Sequence, residues 1–149
     1  MPGTGDASNL EGRILAIDPG TKRTGLALSD ELGITAQGLE TYTGSRQALV
    51  EHVGSLAEEY GIISVVIGLP LSMSGEELEN AALSRELAAA IGKEYRIEVV
   101  LRDERMTSLE VERIMKQEGR IKNAGDIDRL SAVLLLQSYL EERGRGEDR

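Results

Sequence analysis

Residues Arg13–Ser29 read RILAIDPGTKRTGLALS. Two short apolar runs, Arg13–Asp18 and Arg23–Ser29, flank Asp18-Pro19-Gly20, a favoured turn sequence. Each run has the length and alternation of a strand. They lie only a few residues apart, so an antiparallel hairpin is the economical pairing. A weaker strand at Gln37–Tyr42, again behind a Gly-containing turn, extends the meander to three.

Downstream of this meander the pattern changes. From Ser45, Leu49, Val53, Leu56 and Tyr60 recur at spacings of three and four, predicting a helix that stops at Gly61. Ile62–Gly68 (IISVVIG) is almost continuously apolar, as expected of a strand covered on both faces. After the loop Leu69–Gly75, a second helix carries Leu83, Leu87, Ala90 and Ile91 along one stripe, with Glu76, Glu77 and Glu79 in its first turn. Ile97–Leu101 is the next strand, Thr107–Glu118 a third helix, and Asp126 to about Glu142 a last helix with a wide apolar arc. The order is β-β-β-α-β-α-β-α-α. Right-handed crossovers place strands four and five beside strand one. The pattern resembles the ribonuclease-H-like α/β fold, a five-stranded mixed sheet in the order 3-2-1-4-5 with helices on both faces.

Composition narrows the chemistry. The chain has 149 residues, 17 Lys and Arg, 26 Asp and Glu, one His, no Cys, no Trp and no Phe. That length suits one domain, taken as residues 12–142 between polar tails at 1–11 and 143–149. Without Cys there are no disulfides, thiol nucleophiles or cysteine zinc sites, which fits a reducing cytoplasm. A single His, His52, excludes a multi-histidine metal site within one chain. The scarcity of aromatics disfavours base-stacking platforms. The amino-terminal MPGTGDASNLEG lacks the basic region and apolar run of a secretory signal, and no stretch approaches a membrane helix. Carboxylates, hydroxyls, Lys and Arg remain.

The carboxylates fall at the ends of elements. Asp18 ends the first strand, where open α/β sheets bind ligands; it equally serves an Asp-Pro-Gly turn. Asp103 and Glu104 directly follow the fifth strand, and also read as a solvated cluster before a helix. With strand four between strands one and five, the acid must reach across two strand spacings of roughly 4.7–4.9 Å. That suits the longer Glu104 better than Asp103. Asp126 reads as the cap of the last helix, and Asp128, two residues on, faces the apolar arc and the sheet edge near Asp18. Brought into one crevice, these acids would repel one another unless a cation neutralised them. Oxygen ligands without His or Cys favour Mg²⁺ or Mn²⁺, and two such ions can drive phosphodiester hydrolysis.

Four stretches, Ile14–Ser29 (ILAIDPGTKRTGLALS), Val66–Gly75 (VIGLPLSMSG), Asp103–Thr107 (DERMT) and Ile127–Gln137 (IDRLSAVLLLQ), resemble the YqgF/RuvX family, a ribonuclease-H-like group related to the RuvC Holliday-junction resolvases. The resemblance implies a two-metal nuclease with catalytic Asp18, Glu104 and Asp128 and with Asp103 as a further metal ligand. It implies maturation of the 5′ end of pre-16S ribosomal RNA, in association with a ribosomal subunit, or resolution of branched DNA. Strand four ends in Gly68-Leu69-Pro70 with no acid, unlike RuvC, which weakens transfer of the junction-resolving activity.

A formal charge of −9 opposes general nucleic-acid affinity. Lys22, Arg23, Arg105, Arg120 and Lys122 nevertheless surround the acids and are the candidate substrate contacts; a solvated mixture of charges is the plain alternative. Two other functions compete with the nuclease. Asp18-Pro19-Gly20-Thr21 resembles the first phosphate loop of the actin, Hsp70 and sugar-kinase superfamily, although 149 residues do not supply the second domain that encloses ATP. A non-catalytic ribosome-assembly module is the other. His52 reads as packing on the first helix, and monomer and homodimer both stay open.

Overall fold

The computed structural model describes residues 12–20, 22–72, 74–78, 80–104, 113 and 124–146. The elements are β1 (Arg13–Pro19), β2 (Thr24–Ser29), β3 (Ala36–Gly38), α1 (Arg46–Tyr60), β4 (Ile62–Leu69), α2 (Ala81–Glu94), β5 (Glu98–Asp103) and a last helix, α3 (Ala124–Gly146). The five strands form one sheet in the order β3-β2-β1-β4-β5. β1 pairs antiparallel with β2, and β4 pairs parallel with both β1 and β5. This is the sheet expected from the sequence. The expected helix Thr107–Glu118 lies, apart from Arg113, outside the described residues. Among the described residues, no helix is long and apolar enough to cross a membrane.

Side-chain alternation along β1 sends Leu15 and Ile17 to one face and Ile14 and Ala16 to the other. The first face carries the large residues Leu26, Leu28, Val65 and Ile67, which pack with Leu49, Val53 and Leu56 of α1 and Leu87 and Ile91 of α2. The second face combines Ile14 and Val66 with the small residues Ala16 and Ala27. Ala16 and Ala27 pair across the β1–β2 ladder, and both pack against Ala132, Leu135 and Leu136 of α3. Each fully buried Leu or Ile contributes about 1.5–3 kcal/mol by leaving water. The small residues determine how closely α3 can approach. At Gly25 an added Cβ would lie 2.0 Å from the backbone oxygen of Asp128. α3 therefore rests on β2 at the turn that carries Asp128.

The boundaries of β3, α2 and α3 differ from expectation. β3 covers Ala36–Gly38 instead of Gln37–Tyr42, because the ladder bulges. Gly38 pairs with Ala27 and Tyr42 bridges Thr24, so four steps on one strand oppose three on the other. The carbonyl of Leu39 within that bulge also accepts from Arg129 Nε at 3.0 Å. α2 starts at Ala81, with Asn80 at its N-cap and no acid in its first turn. The preceding residues instead form a hairpin-like loop, in which Leu71 bridges Glu77 and Leu78 N–H donates to Pro70 O. Its buried stripe is Ala81, Ser84, Leu87 and Ile91, with Leu83 and Ala90 only part-buried. Ser84 is accommodated because its hydroxyl donates to Gly68 O at 2.7 Å. α3 begins at Ala124, so Asp126 lies inside the first turn and is not the cap. α1 matches expectation: Ser45 Oγ accepts from Ala48 N–H, and Gly61 ends the helix at φ 67°.

Gly25→Ala should destabilise the protein by about 1–3 kcal/mol, the usual cost of overpacking, since backbone must shift. Gly144→Ala, where a new methyl meets nothing within 4 Å, should gain up to about 1 kcal/mol from helix propensity. Urea unfolding of the two variants checks both signs.

Candidate active site

The carboxyl ends of β1, β4 and β5 form one edge of the sheet. Ile17 pairs with Ile67, so Asp18 and Gly68 stand side by side on neighbouring strands. β5 runs two residues further than its apolar core suggests, and Leu69 pairs with Asp103. The alternation that buries Ile14, Ala16 and Val100 towards α3 sends Asp18 and Glu104 the same way. Asp103 points to the other side and is exposed. It does not join the acids and acts on Glu104 only through its charge.

Glu104 reaches Asp18 across β4 because Gly68 has no side chain. A Cβ at Gly68 would lie 2.2 Å from Glu104 Oε1. The two carboxyls hydrogen-bond to each other, and Asp18 holds its proton far above the ordinary carboxylate range. Burial is the largest cause, followed by the charge of Glu104, the hydrogen bond to Glu104 and the charge of Asp128. Ser131, one helical turn beyond Asp128, opposes this by donating to Asp18. Glu104 is also raised, chiefly by burial, although its bond with Asp18 pulls the other way. The two carboxyls therefore share a proton. Glu104 Oε1, the oxygen over Gly68, is buried without a hydrogen-bond partner.

Asp128 lies on α3 above β2, and its Oδ2 accepts from Arg23 Nε at 2.8 Å. That ion pair engages one of its two oxygens, and its charge also acts on Asp18. Among the described residues, no three of His, Cys, Asp and Glu are grouped closely enough to hold a metal as they stand. The donors nevertheless suit a hard divalent cation. They are oxygens only, two of them compete for one proton, and one is unsatisfied. Asp18, Glu104 and, after a side-chain rotation, Asp128 would hold it.

Of the expected substrate contacts, Arg23 is engaged with Asp128, Lys22 is exposed at the same edge, and Arg105, Arg120 and Lys122 lie outside the described residues. His52 packs on α1, its ring stacked 4.8 Å from that of Tyr42. Ser131 is a site residue absent from the sequence reading, whereas Gly68, read with Leu69 and Pro70 as a shaper of the crevice wall, has the sharper role of a gap. The i, i+3 spacing from Asp128 to Ser131 was the available signal for the first.

A 3-2-1-4-5 sheet with acids at the ends of β1 and β5 and on the last helix has the architecture of the ribonuclease-H-like class. The chain belongs to the RuvX family: residues 12–142 match the family model described as "RuvX: Holliday junction resolvase". It is 46% identical over 142 residues to a Koribacter versatilis protein named "Putative pre-16S rRNA nuclease", with 93% of each chain covered. A Pelotomaculum thermopropionicum protein of the same name is 39% identical over 137 residues, with 89% of each covered. The fold matches Thermus thermophilus RuvC at a TM-score of 0.56 and 14% identity, over 89% of this chain and 96% of that one.

The raised pKa values have a sign that melting experiments can read. In metal-free protein, Asp18 and Glu104 make the folded state bind more protons than the unfolded chain above the ordinary carboxylate range. Their stabilising contribution is whole below that range and is lost as pH rises through the pair's elevated pKa. Asp18→Asn should flatten this loss and melt higher than wild type at neutral pH; parallel stability–pH curves would contradict the pairing. Gly68→Ala, which displaces only the end of the Glu104 side chain, should flatten the same curve while the protein stays folded.

Proposed function

We propose that this chain is a divalent-metal-dependent endonuclease that hydrolyses phosphodiester bonds in structured RNA, and that its substrate is the 5′ end of pre-16S ribosomal RNA. The observation that carries the reading is the proton-sharing Asp18–Glu104 pair at the sheet edge, with an unsatisfied oxygen and a third acid close by. The names of the similar proteins support the RNA substrate. The description of the matching family keeps branched DNA as the alternative. Family membership favours the nuclease over both the ATP-using and the non-catalytic readings.

Bound Mg²⁺ or Mn²⁺ would supply Lewis-acid stabilisation of the charge that builds on a phosphodiester during hydrolysis. The chain's own groups prepare for this. On metal binding the proton shared by Asp18 and Glu104 would pass to solvent, leaving both members of the pair as carboxylates able to act as ligands. Ser131 keeps the Asp18 carboxyl oriented through its hydroxyl. Gly68 leaves the gap through which Glu104 reaches the first strand. Asp128 supplies the third carboxylate from α3. Lys22 attracts the phosphate backbone to an otherwise acidic molecule, and few phosphates are neutralised, so binding should weaken only shallowly with salt.

Incubation with Mg²⁺ or Mn²⁺ and three substrates tests the reading: precursor ribosomal RNA, a four-way DNA junction and plain single-stranded RNA. Wild type should cut the precursor. Asp18→Asn, Glu104→Gln and Asp128→Asn should each lose more than about 100-fold in rate, a loss already typical of residues one shell beyond a metal. Full activity in Asp18→Asn would refute the site. Cutting of the junction alone would move the assignment to branched DNA.

A further inference from the structure

We propose that Arg23 is a positioning residue that withholds Asp128 from the metal site until a nucleic-acid phosphate takes the guanidinium, so that substrate and metal load the site together. This rests on the nuclease reading above. Three features of the geometry support it.

First, the third acid has a specific alternative partner. Arg23 Nε donates to Asp128 Oδ2 at 2.8 Å across a sequence separation of 105 residues. Asp18 and Glu104 meanwhile bond to each other, and Asp128 acts on Asp18 only through its charge. The ligand set is thus split two and one.

Second, the backbone beneath the switch is held in place. Gly25 brings the carbonyl of Asp128 against β2 so closely that no Cβ fits between them. Completing the site therefore calls for rotation of the Asp128 side chain, not movement of α3.

Third, the restraint is one that phosphate can remove. The Arg23 and Asp128 side chains are 36% and 24% exposed, and pairs open to water are held weakly. Arg is also the side chain whose planar fork of donors best matches a phosphate. A phosphate that engages Arg23 frees Asp128 at the moment the scissile strand arrives. By linkage, the factor by which nucleic acid tightens metal binding equals the factor by which metal tightens nucleic-acid binding.

Mn²⁺ binding, followed by electron paramagnetic resonance, tests this in full-length wild type, Arg23→Gln and Arg129→Gln. Each is titrated alone and with a slowly cleaved phosphorothioate RNA dodecamer. Arg129→Gln controls for charge: it removes a guanidinium next along α3 from Asp128, one that instead bonds Leu39 O. Arg23→Gln alone should bind Mn²⁺ about two- to fivefold more tightly than wild type, the range expected for releasing an exposed ion pair. Arg129→Gln should match wild type. The RNA should tighten Mn²⁺ binding more in wild type than in Arg23→Gln. Equal affinities in the two variants, both shifted or both unshifted, would overturn the withholding role while leaving the nuclease reading intact. If wild type takes up no Mn²⁺ in either arm and cuts no substrate, the nuclease reading itself fails, and this inference fails with it.

Discussion

Two carboxyls held within hydrogen-bonding distance in a half-buried crevice strongly disfavour ionising together. This constraint at Asp18 and Glu104 organises the rest of the molecule's active edge. The repulsion is relieved by a shared proton in the structure described, and by a cation in the proposed working state. The fold enforces the proximity in spite of the repulsion. β1 and β5 are separated by β4, and only an uncluttered position on β4 lets a glutamate cross. Gly68 is that position. α3, seated on a face that combines small residues with Ile14 and Val66, closes the crevice from above and adds Asp128 and Ser131.

Much of this was legible in the sequence. The two runs around Asp18-Pro19-Gly20 gave the hairpin, and the continuous apolar run at Ile62–Gly68 marked a strand covered on both faces. Together with the helical spacing between them, they marked the order of elements, and the sheet order 3-2-1-4-5 came from the resemblance of that order to the ribonuclease-H-like fold. The preference for Glu104 over Asp103 rested on strand spacing taken together with that sheet order. Other features depend on tertiary contacts that periodicity does not encode. The β3 boundary moved because a bulge is stabilised by Arg129, some 90 residues away. The start of α2 moved because a loop hairpin took the residues whose charges suited a helix N-terminus. Gly68 looked like a strand end, and its role as a gap appears only once Glu104 lies over it. Arg23 looked like a phosphate contact, and its partner in the folded chain is an acid far along the sequence.

An acidic protein that acts on a polyanion needs its attraction concentrated at the site. Among the described residues, the cations at the edge are few. One of them is committed to Asp128, and the crevice itself favours positive charge, which it can obtain from bound metal. Selectivity in such a molecule comes from the shape of the nucleic acid and from metal held by the acids, rather than from a broad basic surface. This is consistent with the composition, which offers carboxylates, hydroxyls and guanidinium groups and almost no aromatic or imidazole chemistry.

The most direct measurement is anomalous X-ray diffraction from crystals soaked in Mn²⁺. The account predicts an anomalous peak bounded by the Asp18 and Glu104 carboxylates, with the two no longer hydrogen-bonded to each other. Well-ordered Asp18 and Glu104 side chains still sharing a proton, with Mn²⁺ only at scattered surface acids, would contradict it.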